Sequence, residues 1–194
     1  MIRHATMADV DEIARLEASS FPAAEAASRE SIAARVATFP ECFWLLEDDA
    51  MAGAACDEGL GADGNRAAVH ASGDGAPRAA AGSRRELLAF VSGMVTATPD
   101  LTDEMYDYPE LHDPTAAWLM VFSVVSSPAH RGEGHATAAL RAAIACARER
   151  GQRGVVLTCK ERLLGFYGRF GFVNEGVSSS EHGGAEWYQM RLTF

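Results

Sequence analysis

The chain has 194 residues, with 17 Lys and Arg against 27 Asp and Glu, for a formal net charge of −10. A hydrophobic share of 48% is that of a globular domain with a substantial core, and no apolar run reaches the ~20 residues of a membrane span. The acidic balance argues against nucleic acid, which demands a basic footprint, and suits a cationic small molecule.

Arg3, His4 and Asp9 make a signal peptide an unsuitable reading, so the expected location is cytoplasmic. Thr6-Met-Ala-Asp9 fits a capping box, and Val10, Ile13, Ala14 and Leu16 then recur at helical spacing. A second helix is expected from Ser28, its N-cap, to about Thr38, with Ile32, Val36 and Phe39 as its apolar stripe. Phe43 to Leu46 reads as a buried strand. Residues 57–86 hold six glycines and eight alanines, and Leu60 and Val69 are their only large apolar side chains. Such a stretch buries too little surface to offset the entropy of ordering, so a flexible insertion is expected there, within a single domain spanning 1–194. Leu87 to Val95 resumes as a strand. Asp100 to Asp113 carries six carboxylates and no Lys or Arg, with two tyrosines and His112 interleaved. It reads either as an acidic funnel for an amine or as a solvated loop.

The second half is more informative. An apolar strand from Trp118 to Val125 runs into Ser126-Ser-Pro-Ala-His-Arg-Gly-Glu-Gly-His-Ala136, and an alanine-rich helix follows to about Arg150. A strand–loop–helix unit of this kind aims backbone N–H groups and the positive end of a helix dipole at one spot, which suits a phosphate. The loop fits neither a P-loop nor a dinucleotide fingerprint. A buried strand, Gly154 to Cys159, leads into Leu163-Leu-Gly-Phe-Tyr-Gly-Arg-Phe-Gly-Phe172, a short helix that Gly171 is placed to end in a left-handed cap. Alternating strands and helices from residue 40 onward argue for an α/β mixed sheet with helices on its faces. The four cysteines (Cys42, Cys56, Cys146, Cys159) form no Cys-x-x-Cys pair, have no His at metal spacing, and read as packing residues, so no metal site is expected.

The loop from Arg131 to Ala136 and the segment from Leu163 to Phe172, in this order and spacing, resemble the GNAT superfamily of N-acetyltransferases, and the resemblance extends to both ends, with Ile2 to Thr6 as the usual first strand and Trp187 to Leu192 as the usual last. Glu17-Ala-Ser-Ser-Phe21, Phe39-Pro-Glu41, Phe166 to Phe172, and the frame from Ala117 to Val124 resemble its arylalkylamine branch. The resemblance implies a central, mostly antiparallel sheet with two splayed parallel strands, acetyl-CoA as co-substrate, and a monomer or homodimer. It also implies roles. His130, Arg131, Gly132, Glu133, Gly134, His135 and Ala136 would wrap the coenzyme pyrophosphate. Phe122, Ser123 and Val124 would bond the pantetheine arm and thioester through backbone groups, with a free Val124 N–H for the oxyanion. Tyr167, aimed at the sulfur, would be the general acid.

That branch carries two histidines in the strand frame, where this chain has Trp118 and Met120, and neither side chain accepts a proton. The base is therefore left open among Glu25, Glu161 and His112, or ordered water. Trp118, Met120 and His112 are candidates for lining the acceptor site. The expected function is acetyl transfer from acetyl-CoA to a small primary amine, arylalkylamine or polyamine-like. The alternatives are a protein or peptide N-acetyltransferase and a non-catalytic acetyl-CoA sensor.

Overall fold

The computed structural model describes residues 1–48 and 85–194. The expected insertion over 57–86 falls almost wholly outside the described residues. The elements are β1 Ile2–His4, α1 Val10–Ser20, α2 Arg29–Thr38, β2 Phe43–Glu47, β3 Leu87–Thr96, α3 Glu104–Asp107, β4 Trp118–Ser126, α4 His135–Glu149, β5 Gly154–Cys159, α5 Leu164–Gly168, β6 Val173–Val177 and β7 Tyr188–Thr193. The strands form one seven-stranded sheet in the order β1-β2-β3-β4-β5-β7-β6. Every pairing is antiparallel except that of β4 with β5.

Local chemistry accounts for most of these elements. Thr6 N–H donates to Asp9 Oδ2 at 2.8 Å, the expected capping contact, and Ser28 Oγ accepts from Ser31 N–H at 3.1 Å to start α2. The buried face of α4 is Ala139, Leu140, Ala143 and Ala147, three of them alanines that let the helix lie close against β2, β3 and β4. β3 is buried at all ten positions, so both faces of the sheet centre are covered. Side-chain alternation along that strand requires nothing less. Gly171, at φ +92°, stands just beyond α5 in the expected left-handed conformation.

Three places add to or correct the sequence reading. Arg169 caps α5 from outside rather than sitting on it. Val173–Val177 is a strand, although four of its five residues are exposed and its Asn-Glu-Gly interior carries no alternating pattern. The acidic segment is ordered, and five of its six carboxylates, all but Asp103, are exposed. Leu101 and Met105 are buried, and short helical turns at Glu104–Asp107 and Pro109–Leu111 pack it onto the body. Three of its carboxylates are engaged locally: Asp100 with Arg191 and Gln189, Asp103 with Ser180 and the Glu181 N–H, Asp113 with Thr115.

The sheet opens at one place. β4 pairs with β5 only from Trp118 to Val121, whereas its pairing with β3 continues to Ser126. A bulge at Phe122 shifts the β3 register between Ser92 and Gly93 just where the β5 partner is lost. Beyond Val121 one edge of β4 faces a gap.

Candidate active site

A cleft of about 530 Å³ occupies that gap, a volume ordinary for a small-molecule site. Its walls come from α1 and the chain after it (Glu17, Phe21, Glu25), from α2 (Arg35), from Tyr106, from β4 (Val121 to Ser126), from the end of β5 and α5 (Thr158 to Lys160, Tyr167), and from His182 and Trp187.

On the β4 wall, Ser127 N–H donates to Leu88 O of β3 at 2.7 Å. The two-residue alternation of a strand then turns the N–H groups of Ser126 and Val124 toward the gap. The chain passes through Ser127 and a turn at Pro128–His130 into the loop before α4. Gly132 and Gly134 both have φ +88°, and Gly134 is the residue that opens α4. Positive φ, rather than the exclusion of a clash, explains these glycines, since a Cβ at either would meet nothing within 4 Å. Arg131 and Ala136 of this loop reach the cleft wall; His130, Glu133 and His135 do not. Glu133 Oε2 lies 3.2 Å from His130 Nδ1 and 3.0 Å from His135 Nε2. These contacts hold the carboxyl below its ordinary range and brace the loop.

Tyr167, on α5, forms part of the opposite wall and is buried. Burial drives its phenol well above the ordinary tyrosine value, with Cys159 beside it adding to the effect. The hydroxyl therefore keeps its proton throughout the neutral range. The Cys159 thiol, pushed up to about 11 by burial, is likewise protonated and carries no nucleophilic thiolate at neutral pH.

At the far end lie groups drawn from distant segments. Glu17 is 2% exposed; its Oε1 accepts from Ser123 Oγ at 3.0 Å and from Ala27 N–H at 3.3 Å, and its Oε2 has no partner. Burial raises its carboxyl above the usual range. Arg35, 3% exposed, donates to Tyr106 O at 2.7 Å and places its guanidinium 4.9 Å from the Phe122 ring, while its Nε is unpartnered. Burial lowers its pKa. The Tyr106 phenol is pushed up to about 12 by the same cause. Lys160 Nζ makes an ion pair with Glu25 Oε1 at 2.9 Å and sits 4.0 Å from the Trp187 ring.

The expected site residues thus divide. Phe122, Ser123, Val124, Arg131, Ala136, Tyr167 and Glu25 converge on the cleft. Glu161 is exposed and outside its walls. Met120 is fully buried in the sheet, and Trp118 packs against Arg191, its ring centroid 4.8 Å from the guanidinium. Neither lines the cleft, because both precede the point where β4 and β5 part. His112 stacks on Phe39 away from the cleft, and its Nδ1 accepts from Val95 N–H at 3.1 Å. With that lone pair occupied, the neutral ring carries its proton on Nε2, toward Glu41, and has no free acceptor with which to act as a base. The same protonation excludes it as a metal ligand in the grouping with Glu41 and Cys42. His130, Glu133 and His135 also bring potential ligand atoms together.

Sequence reasoning missed Glu17, Arg35, Tyr106, Lys160, His182 and Trp187 as wall residues. A signal existed for two of them. Glu17 lies seven residues after Val10 on the buried face of α1, and Arg35 follows Ile32 by three on that of α2. A charge on an apolar stripe is the mark of a buried polar site.

A sheet opened between its one parallel strand pair, with a glycine loop and helix N-terminus beside the opening, defines the GNAT fold of acyl-CoA-dependent acyltransferases. Residues 84–172 match the acetyltransferase (GNAT) family. Solved structures of this fold cover the whole chain. The GphF GNAT-like decarboxylase in complex with isobutyryl-CoA has a TM-score of 0.69 at 21% identity, with 98% of that chain covered. The loading GNAT-like domain of CurA from Lyngbya majuscula has 0.71 at 14%, with 96% covered. An N-acetyltransferase from Staphylococcus aureus Mu50 has 0.58 at 15%, with 97% covered. None of the curated proteins matches the chain in sequence. No helix among the described residues is long and apolar enough to cross a membrane.

Proposed function

We propose that the protein transfers acetyl from acetyl-CoA to a small primary amine, with Tyr167 as the general acid. The observation that carries this reading is a buried phenol held protonated across the gap from β4, whose Val124 and Ser126 N–H groups have no β5 partner. The residues present fit the coenzyme. The loop at Gly132 and Gly134, the start of α4, and Arg131 and Arg162 on the wall offer N–H groups and positive charge for an anionic diphosphate. The free strand edge offers main-chain bonds for an amide-bearing arm. Phe21, Tyr106, Phe122 and Trp187 give the acceptor end an aromatic lining, which favours an arylalkylamine over a polyamine. The motif resemblance to the arylalkylamine branch points the same way. The test is CoA release, followed with a thiol reagent, over arylalkylamines, polyamines and short peptides. Turnover on an arylalkylamine supports the reading, and turnover on peptides alone overturns the acceptor class.

One observation favours a second reading. Arg35 is a buried cation on the cleft wall with an unpartnered Nε, and it would suit a substrate carboxylate. A structural relative of the chain is a GNAT-like decarboxylase. Carbon dioxide release from a malonyl-type acyl-CoA, with no amine present, would establish that activity instead.

A further inference from the structure

His182 belongs to none of the motifs that identify the fold, yet it stands on the cleft wall beside Tyr106, Trp187 and Glu25. Its ring stacks on Tyr106, centroids 4.5 Å apart, and the Trp187 ring is 6.2 Å away. Trp187 Nε1–H donates to the His182 carbonyl at 2.8 Å, and the His182 backbone N–H donates to Ser180 Oγ at 3.3 Å. Asp103 in turn accepts from Ser180 and from the Glu181 N–H. The loop can press this close only because residue 183 is glycine. Its φ is +62°, and a Cβ there would lie 2.5 Å from Glu25 Cγ. The ring is held on its faces, at its backbone and at one nitrogen.

That nitrogen decides the chemistry. His182 Nε2 lies 3.0 Å from the backbone carbonyl of Glu25. A carbonyl only accepts, so Nε2 carries the proton and Nδ1 is the bare, basic nitrogen of the neutral ring. Among the described residues, no protein group is hydrogen-bonded to Nδ1. The carboxylates nearby are less suited to act as bases. Glu25 is engaged by Lys160, and Glu17 is sealed behind Ser123 and Ala27 with Oε2 inaccessible.

We propose that His182 is the general base of the acceptor amine, an inference that rests on the acyltransfer reading above. Nδ1 takes one proton from the ammonium, and the freed nitrogen pair forms the C–N bond to the acyl carbon. The C–S bond breaks with its electron pair on sulfur, which takes the Tyr167 proton. The surplus proton on the new amide nitrogen returns to the Tyr167 oxygen, and the His182 proton leaves to solvent, so one proton is released per turnover. The charged and titratable groups facing the ring are Glu17, Glu25, Lys160, Arg35 and Tyr106, with Asp103 and Glu181 on its own loop side.

The experiment compares wild type with His182→Gln, whose amide can still donate to the Glu25 carbonyl but offers no basic nitrogen. CoA release is measured from pH 5.5 to 9.5 on the best amine, with the CoA dissociation constant and melting temperature of each protein. The expected result is unchanged CoA affinity, turnover lower by roughly 10²-fold or more, and loss of the acidic limb of kcat/KM, with partial rescue by added imidazole. A folded His182→Gln enzyme that keeps the wild-type limb and rate overturns His182 alone. A wild-type enzyme that releases no CoA with any amine overturns the acyltransfer reading and His182 with it. A variant that fails to fold is replaced by His182→Asn, judged by the same limb.

Discussion

Tyr167 and Glu17 are both deep in the protein, and burial acts on both in the same direction by penalising the charged form. For Tyr167 the result is a phenol that remains a proton donor, which is what a departing thiolate needs. Tyr167→Phe removes the donor and leaves the ring to pack against Phe166 and Phe172. Turnover is expected to fall at least tenfold with CoA affinity kept, and an unchanged kcat would refute the assignment. For Glu17 the consequence is a stability effect. An unfolded glutamate ionises near pH ~4.3, whereas the native carboxyl holds its proton to higher pH. Between those values the native state binds more protons, so stability falls as pH rises through that window and is lowest above it. Glu17→Gln keeps an oxygen for Ala27 N–H and Ser123 Oγ and carries no charge. It is expected to raise the melting temperature by a few degrees at pH 7.5 and by less at pH 4. Equal shifts at both pH values would show that ionisation is not the cause.

The elements that build the site do so through their ends. β4 contributes the edge left bare after Val121, α4 contributes its first turn, and α5 contributes one tyrosine. Gly134 is the residue on which the α4 end depends. At φ +88° any other side chain is strained by roughly 1–2 kcal/mol, yet a Cβ there meets no protein atom. Gly134→Ala is therefore expected to weaken CoA binding about tenfold, read by calorimetry, while lowering the melting temperature only modestly. Gly165→Ala, inside α5 with ordinary φ and open space, serves as the silent control. The same contrast explains what could be read in advance. The runs Leu87 to Val95, Trp118 to Val125 and Gly154 to Cys159 carry strand character locally, and Ser28 and Thr6 mark helix starts, so those elements were legible. β6 was not, because an exposed edge strand with a glycine inside has no period to detect. Nor was the acceptor end of the cleft. Glu17, Arg35, Tyr106, Lys160 and His182 are spread from α1 to the loop before β7, and only the opening of the sheet brings them together.

At the scale of the whole molecule, the sheet begins at an edge strand of three residues, too short to hold itself in place by ladder bonds alone. It is secured by charge. Arg3 on β1 donates to Asp9 Oδ2 and Oδ1 at 2.8 Å each, and its Nε donates to Glu47 Oε1 on β2 at 3.0 Å. One guanidinium thus ties the first strand, the start of α1 and the second strand together. Its planar fork is what makes two carboxylates reachable at once. The Arg3 guanidinium and the Thr6 N–H hold the Asp9 carboxyl down to about 2, against an ordinary value near ~3.9. A depressed native value means that the unfolded chain takes up the proton first. The contribution, roughly 1–2 kcal/mol, is fully present above pH ~4 and is lost as pH falls toward 2. Asp9→Asn removes the charge and with it that dependence. Its melting temperature is expected to lie several degrees below wild type at pH 6, with the gap closing as pH falls toward 2. Arg3→Met is expected to cost more at pH 6, because it strands both Asp9 and Glu47 in buried positions without their cation. A gap between wild type and Asp9→Asn that stays constant from pH 6 to pH 2 would refute the electrostatic account and leave the clasp as a matter of packing.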